Sequence, residues 1–188
     1  MAYLEGSNLV AAYGVVPILH ECSVKVEKGE LAVIVGPNGA GKSTVMRVLL
    51  GMLEATSGSV TLDGNDISML STQERISLGL AFVPQNKNVF PSMTVEENLE
   101  MGAFLRTDDI KKTMEEVYNL FPILYEKRRQ LAEELSGGQR QQVAFGRAMM
   151  TQPSVMLLDE PTAGVSPIVM DEIFSNILDV RDAGMAVL

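Results

Sequence analysis

The chain has 188 residues, 46% of them apolar and 21% charged, which suits one well-buried domain with a smaller subdomain rather than two full domains. A formal charge of −9 argues against nucleic acid as the main partner, because neutralising phosphates takes clustered Lys and Arg. Cys22 stands alone, so no internal disulfide can form and a reducing compartment is expected. The N-terminus lacks the basic start and apolar centre of a secretion signal, and no apolar run approaches the roughly 20 residues that span a bilayer. Any membrane role is therefore expected to come through a partner.

In chain order, short apolar runs alternate with helical patterns, the signature of an α/β fold on a mostly parallel sheet. Residues 31–35, Leu-Ala-Val-Ile-Val, predict a buried strand ending at Gly36. A helix is expected from Lys42 to Leu50, stopping near Gly51, then a strand from Ser59 to Leu62 closed by a turn at 63–65. Ser71 and Glu74 have capping-box spacing and open a short helix that ends near Gly79. Residues 80–83 predict a strand, stopped by Pro84.

The middle differs in kind. Thr94 and Glu97 form a second capping-box pattern, opening a helix expected to reach Arg106. Another helical stretch covers 108–120 and is broken at Phe121-Pro122; helix formers then dominate to Leu135. The basic cluster Lys127-Arg128-Arg129 is expected on a solvated helix face. Residues 88–140 are read as a helical subdomain inserted into an α/β core made of 1–87 and 141–188. The core resumes with a strand at 154–158 and a helix from Pro167 to Ala183 that Gly184 ends, and residues 185–188 open another buried strand.

Gly36-Pro37-Asn38-Gly39-Ala40-Gly41-Lys42-Ser43-Thr44 fits G-x-x-x-x-G-K-[ST] between a predicted strand and a predicted helix. A chance match in a chain this long is roughly 1 in 100 from average glycine usage. The glycines let the backbone curl so that N–H groups converge on phosphate oxygens; Lys42 reaches the β- and γ-phosphates and the Ser43 hydroxyl can ligate Mg²⁺. Residues 155–160, Val-Met-Leu-Leu-Asp-Glu, are an apolar strand ending in two carboxylates, and strand ends in parallel sheets face the ligand crevice. Asp159 is placed to hold magnesium through water and Glu160 to orient or deprotonate an attacking water.

Gln85, after the break at Pro84, is placed to touch magnesium or the attacking water, or is an ordinary loop glutamine. Tyr13, ahead of the phosphate loop, either stacks on a nucleobase or is a half-buried core residue. Ser136-Gly137-Gly138-Gln139 is a third capping-box pattern, but a cap alone does not explain the two glycines. Each weakens a helix start by roughly 1 kcal/mol relative to alanine. They are tolerated where something such as a phosphate must approach the backbone.

These residues, in this order, resemble the nucleotide-binding cassette of ABC transporters: the phosphate loop, Gln85, the LSGGQ signature at 135–139 and the acidic strand at 155–160. The signature is the most specific element, and the likeness covers essentially the whole chain. It implies a P-loop NTPase core with a mostly parallel sheet, an N-terminal antiparallel β portion and the inserted helical subdomain. It further implies ATP and Mg²⁺ as cofactors, and a head-to-tail dimer in which each ATP lies between one subunit's Lys42 loop and the partner's Ser136, Gly137 and Gly138. The second ATPase would be the same or a related chain, with transmembrane permease subunits as the other partners.

Residues 83–85, 89–99 and 160–167 are similar to the ATPases of branched-chain amino acid importers, although cassettes for other solutes such as urea share much of the pattern. Ser166 stands where most cassettes carry Asp, and ahead of Pro167 it also makes a helix N-cap. Cassettes usually continue to a histidine that contacts the γ-phosphate. His20 is far too early for that role and is expected at a surface or strand edge, so a C-terminally incomplete cassette is expected, on the cytoplasmic face of the membrane. Two other readings stand beside it. One is a non-transport ABC ATPase; the other is a P-loop kinase or switch whose LSGGQ is only a cap.

Overall fold

The computed structural model describes residues 2–163 and 166–188. Strands β1 (Leu4–Tyr13) and β2 (Val16–Val26) form a hairpin, and β3 (Ser57–Leu62) and β4 (Asn65–Asp66) extend it into an antiparallel sheet ordered β2-β1-β3-β4. Helix α1 (Lys42–Leu50) lies between β2 and β3 in the chain. After β4 come α2 (Thr72–Ser77), β5 (Leu80–Val83), α3 (Val95–Gly102), α4 (Lys111–Leu120) and α5 (Pro122–Glu126). A 3-10 turn at Ala132–Glu134 leads to α6 (Gly137–Met149), β6 (Val155–Leu158), α7 (Pro167–Asp182) and β7 (Ala186–Val187). Strands β5, β6 and β7 form a parallel sheet in that spatial order.

The parallel sheet divides the core in two, as a strand buried on both faces must. Val155 and Leu157 of β6 point to a cluster holding Leu4, Leu9, Val45, Leu49 and Val60, so α1 and the antiparallel sheet cover that face. Met156 and Leu158 point the other way, into a cluster with Leu99, Val117, Leu124, Phe145, Ile173 and Ile177 from the helices. His20 is exposed on β2, the edge strand of its sheet.

The expected strand at 31–35 is cut short. Leu31 bridges Val187 in parallel, with Ala32 N–H donating to the Val187 carbonyl at 2.9 Å. Among the described residues the ladder along this run ends there. Ala32 and Ile34 pack inward, while Val33 and Val35 are 73% and 89% exposed.

Several helices are also shorter than their patterns. Helix α3 stops at Gly102, and Arg106 is drawn off the helix by the Met150 carbonyl and the Thr113 hydroxyl, both at 2.9 Å. Helix α4 starts at Lys111 because the Asp109 side chain accepts from the Lys111 N–H at 3.0 Å, a local alternative to helix. The basic cluster 127–129 falls in the turn after α5, where Arg128 lies over the Tyr125 ring, and not on a helix face. Ser166 occupies the N-cap of α7 without the hydroxyl-to-backbone bond expected of it. Gly164 and Val165, in the 160–167 stretch, lie outside the described residues.

Two buried polar side chains hold the elements around the phosphate loop. Arg75 of α2 is 3% exposed and gives its N–H groups to carbonyls: Nη1 to Val48 and Leu49 at 2.7 and 2.9 Å, Nε to Leu70 at 3.0 Å and Nη2 to Ser68 at 2.7 Å. A cation thus closes the negative end of α1. Burial pushes the Arg75 pKa down from its usual value, and Asp66 opposes the shift. Asn98 of α3 accepts from the Phe90 N–H and donates to the Phe90, Met93 and Thr94 carbonyls, fixing the loop that follows Gln85.

Candidate functional site

The loop before α1 is shaped by its glycines. Gly39 and Gly41 hold φ of 85° and 92°, the left-handed region. At Gly41 a Cβ would also come within 2.8 Å of Leu19 Cδ2, so β2 backs the loop directly. Gly41 is the N-cap of α1 and offers no side chain to cap it; the first turn carries no acid. The helix's first backbone bond runs from Val45 N–H to the Gly41 carbonyl, so the N–H groups of Lys42, Ser43 and Thr44 have no intrahelical acceptor. With the positive end of the dipole, they form an anion seat.

Strand β6 brings its two acids to this seat. The Asp159 N–H donates to the Val83 carbonyl at 3.0 Å, pinning the strand end against β5, and the buried Asp159 carboxylate accepts from the Ser43 hydroxyl at 2.8 Å. Glu160 then turns into left-handed backbone, φ 45°, an uncommon conformation for a residue with a Cβ. Its two oxygens meet different partners: Oε1 lies 3.3 Å from Lys42 Nζ, and Oε2 accepts from Gln85 Nε2 at 3.1 Å. Lys42 also donates to the Gly36 and Pro37 carbonyls at 3.0 and 3.2 Å, so the ammonium holds two hydrogen bonds beside the ion pair.

The structure thus converges Lys42, Ser43, Gln85, Asp159 and Glu160, drawn from a loop, two strand ends and a helix start. A cleft of about 330 Å³ is lined by Lys42, Asp159 and Glu160 together with Phe174 and Ile177. A larger cavity of about 600 Å³, among Val117, Met149 and Met185, contains none of these residues. Among the described residues no cluster of three or more His, Cys, Asp or Glu could hold a metal. One hydroxyl and one carboxylate do fit Mg²⁺, a hard cation that keeps several waters and completes its shell with substrate phosphates.

Tyr13 ends β1 and is 45% exposed, not a core residue; its hydroxyl accepts from Arg47 Nη1 at 3.2 Å. No sequence pattern signals that pairing, since Arg47 reads as an ordinary base in the last turn of α1. Ser136 caps α6 as its spacing predicts: its hydroxyl accepts from the Gln139 N–H at 3.2 Å, and the Gln139 side chain accepts from the Ser136 N–H at 3.2 Å. Gly137 faces open space, whereas a Cβ on Gly138 would lie 2.5 Å from Glu172 Oε2. No hydrogen bond or ion pair among the described residues joins Ser136–Gln139 to Lys42, Ser43, Asp159 or Glu160.

The chain matches the ABC transporter family over residues 19–163. It is 43% identical over 176 residues to the high-affinity branched-chain amino acid transport ATP-binding protein BraG of Pseudomonas aeruginosa, covering 93% of this chain and 76% of that protein. The probable branched-chain amino acid transport ATP-binding protein LivF of Archaeoglobus fulgidus is 38% identical over the same share of the chain and 75% of its own length. The lipopolysaccharide export system ATP-binding protein LptB of Haemophilus influenzae is 35% identical across the full chain and 79% of its length. Among solved structures, an ABC transporter cassette in its ADP conformation superposes with a TM-score of 0.92 at 31% identity, covering 100% of this chain and 80% of that one. A phosphate seat, an acid pair and a second capped glycine start on this fold therefore make the chain a member of the ABC transporter ATP-binding family, an ATP-hydrolysing cassette.

Proposed function

We propose that this chain is the ATP-driven subunit of an importer for branched-chain amino acids, working as an ATP-sandwich dimer on the cytoplasmic face of the membrane. What carries the reading is the convergence of Lys42, Ser43, Asp159, Glu160 and Gln85 at the start of α1. The likeness to BraG and LivF supplies the substrate class. Residues 1–87 and 141–188 form the nucleotide core in this reading, and 88–140 the helical subdomain. No helix among the described residues is long and apolar enough to cross a membrane; in this reading transmembrane permease subunits form the path for the solute.

The loop from Gly36 to Thr44 binds the phosphates through its N–H groups and Lys42. Ser43 and Asp159, with Gln85, would hold Mg²⁺, which would supply charge neutralisation on the transferred phosphoryl group. Lys42 leaves Glu160 and the two loop carbonyls for the β- and γ-phosphates, which frees the Glu160 carboxylate. Glu160 then orients the attacking water and takes its proton as the bond to the γ-phosphorus forms and the bond to ADP breaks. Gln85, hydrogen-bonded to Glu160 and followed by the loop that Asn98 holds, links this chemistry to the helical subdomain where the permease would press. Ser136, Gly137, Gly138 and Gln139 serve the nucleotide of a second ATPase subunit, the same or a related chain.

Light scattering on Glu160→Gln, with and without Mg-ATP, tests the sandwich: a monomer that dimerises only with ATP supports it, and a chain that binds ATP and stays monomeric counts against it. The substrate class is tested by co-purifying the permease with the tagged chain and measuring uptake of labelled leucine and urea into proteoliposomes. Likeness to LptB favours a second reading, lipopolysaccharide export. ATP-driven extraction of lipopolysaccharide with no leucine uptake would replace the importer with that reading.

A further inference from the structure

Tyr13 and Arg47 lie outside the phosphate loop, the acidic strand and the LSGGQ stretch. Tyr13 stands at the end of β1, paired with Val16 across a hairpin whose Gly14 has φ 61°. A tyrosine at an exposed strand end has several rotamers open to it. Its hydroxyl is held by Arg47, on α1 five residues beyond Lys42, or about 7.5 Å along the helix axis. Besides their shared core, the hairpin meets the helix at Leu19 against Gly41 at the helix start and at Tyr13 against Arg47 further along.

Arg47 is not engaged in the work its position suggests. A base in the last turn of a helix ordinarily serves the terminal carbonyls and the dipole. In α1 those carbonyls are taken: Val48 and Leu49 accept from the buried Arg75, and the Arg47 carbonyl accepts from the Met52 N–H at 2.8 Å. None of the ion pairs among the described residues involves Arg47. Its guanidinium is directed to the Tyr13 hydroxyl.

We infer that Arg47 is a positioning residue that sets the Tyr13 ring for stacking on the nucleobase, so that one helix carries both the phosphate seat and the hold on the base. This rests on the reading of Tyr13 as the stacking surface. Because Arg47 moves with Lys42, the spacing between ring and phosphate loop is fixed by α1 rather than by the hairpin. Arg47 acts on how well the base is held and leaves the phosphate seat as it is.

The test compares binding of Mg-ATP with binding of Mg-tripolyphosphate, which has the phosphates and no base, to the 188-residue chain. Arg47→Met and Tyr13→Phe each remove one end of the same bond. Each is expected to weaken ATP binding by about 2- to 10-fold, the range of a single net hydrogen bond, and to leave tripolyphosphate unchanged. The double variant should be no worse than either single one, and Arg47→Lys should recover part of the loss. Unchanged tripolyphosphate binding shows in the same experiment that the loop is intact. Equal weakening of both ligands by Arg47→Met, or additive losses in the double variant, would overturn the role of Arg47. Tyr13→Ala separates the two layers: if it leaves the ratio of the two affinities unchanged, the stacking reading itself fails. If it lowers the ratio while Arg47→Met does not, only the positioning role fails.

Discussion

Helix α1 follows a glycine and helix α6 begins with two, and neither carries an acid in the first turn, yet their starts are built in opposite ways. Helix α1 has a left-handed glycine at the N-cap and no side-chain cap. Helix α6 has a complete capping box from Ser136 and Gln139. Helices α2 and α3 have capping boxes too, but theirs place Glu74, Glu96 and Glu97 in the first turn, where an anion would be repelled. The α6 box uses a neutral glutamine in place of the glutamate. Lack of first-turn acid, more than lack of a cap, is what the two proposed phosphate seats share.

The largest expected effect separates the seats by what they do for their own chain. Lys42→Ala should lower ATPase turnover by about 10²- to 10³-fold and weaken ATP binding by the same chain. Gly137→Ala should leave ATP binding unchanged and still depress turnover, measured as steady-state phosphate release against equilibrium binding. If Gly137→Ala turns over normally, the α6 start is only a cap.

Stability sharpens the contrast. Gly41→Ala meets both a φ of 92° and Leu19, and should cost roughly 1–3 kcal/mol, lowering Tm by about 2–4 °C for each kcal/mol in a chain of this size. Gly137→Ala meets open space and a helical backbone, so its Tm should not fall. Ser136→Ala removes the cap alone and should cost about 1 kcal/mol in urea unfolding.

The smallest effect is a pH dependence. The Thr94 backbone N–H and hydroxyl hold the Glu97 carboxyl below its usual range, and the Ser71 hydroxyl and N–H do the same for Glu74. A pKa lowered by folding stabilises the protein above the carboxylate's ordinary value, and that contribution is lost as pH falls through the folded-state pKa. Urea midpoints measured downward from about pH 6 should therefore fall less steeply in Glu97→Gln than in the parent chain. Gln139 cannot titrate, so Gln139→Ala should leave that pH slope unaltered.

The parts of the molecule legible in the sequence are those set by neighbours along the chain. The phosphate loop, all three capping boxes, α1 from Lys42 to Leu50 and β5 from 80 to 83 follow from spacings of three or four residues and from punctuation by Gly and Pro. The run 31–35 looks equally clear, yet a strand needs a ladder partner and, among the described residues, only Leu31 bridges β7. The grip of Arg75 on α1, the Arg47–Tyr13 bond and the left-handed turn that aims Glu160 at Lys42 stay hidden for a related reason. Those partners lie 26 or more residues away in sequence, and no local pattern distinguishes a guanidinium bound for a carbonyl from one in solvent.

The Lys42–Glu160 pair turns nucleotide binding into a competition. The ammonium already holds two carbonyls and an ion pair with Glu160, so a phosphate gains it by displacing a carboxylate, and measured ATP affinity is the difference between the two attachments. In Glu160→Gln the uncharged amide is a weaker rival for Lys42 than the native carboxylate. A Glu160→Gln protein would therefore accumulate with ATP for two separable reasons, slower cleavage and easier capture, and a non-hydrolysable ATP analogue would reveal the second on its own.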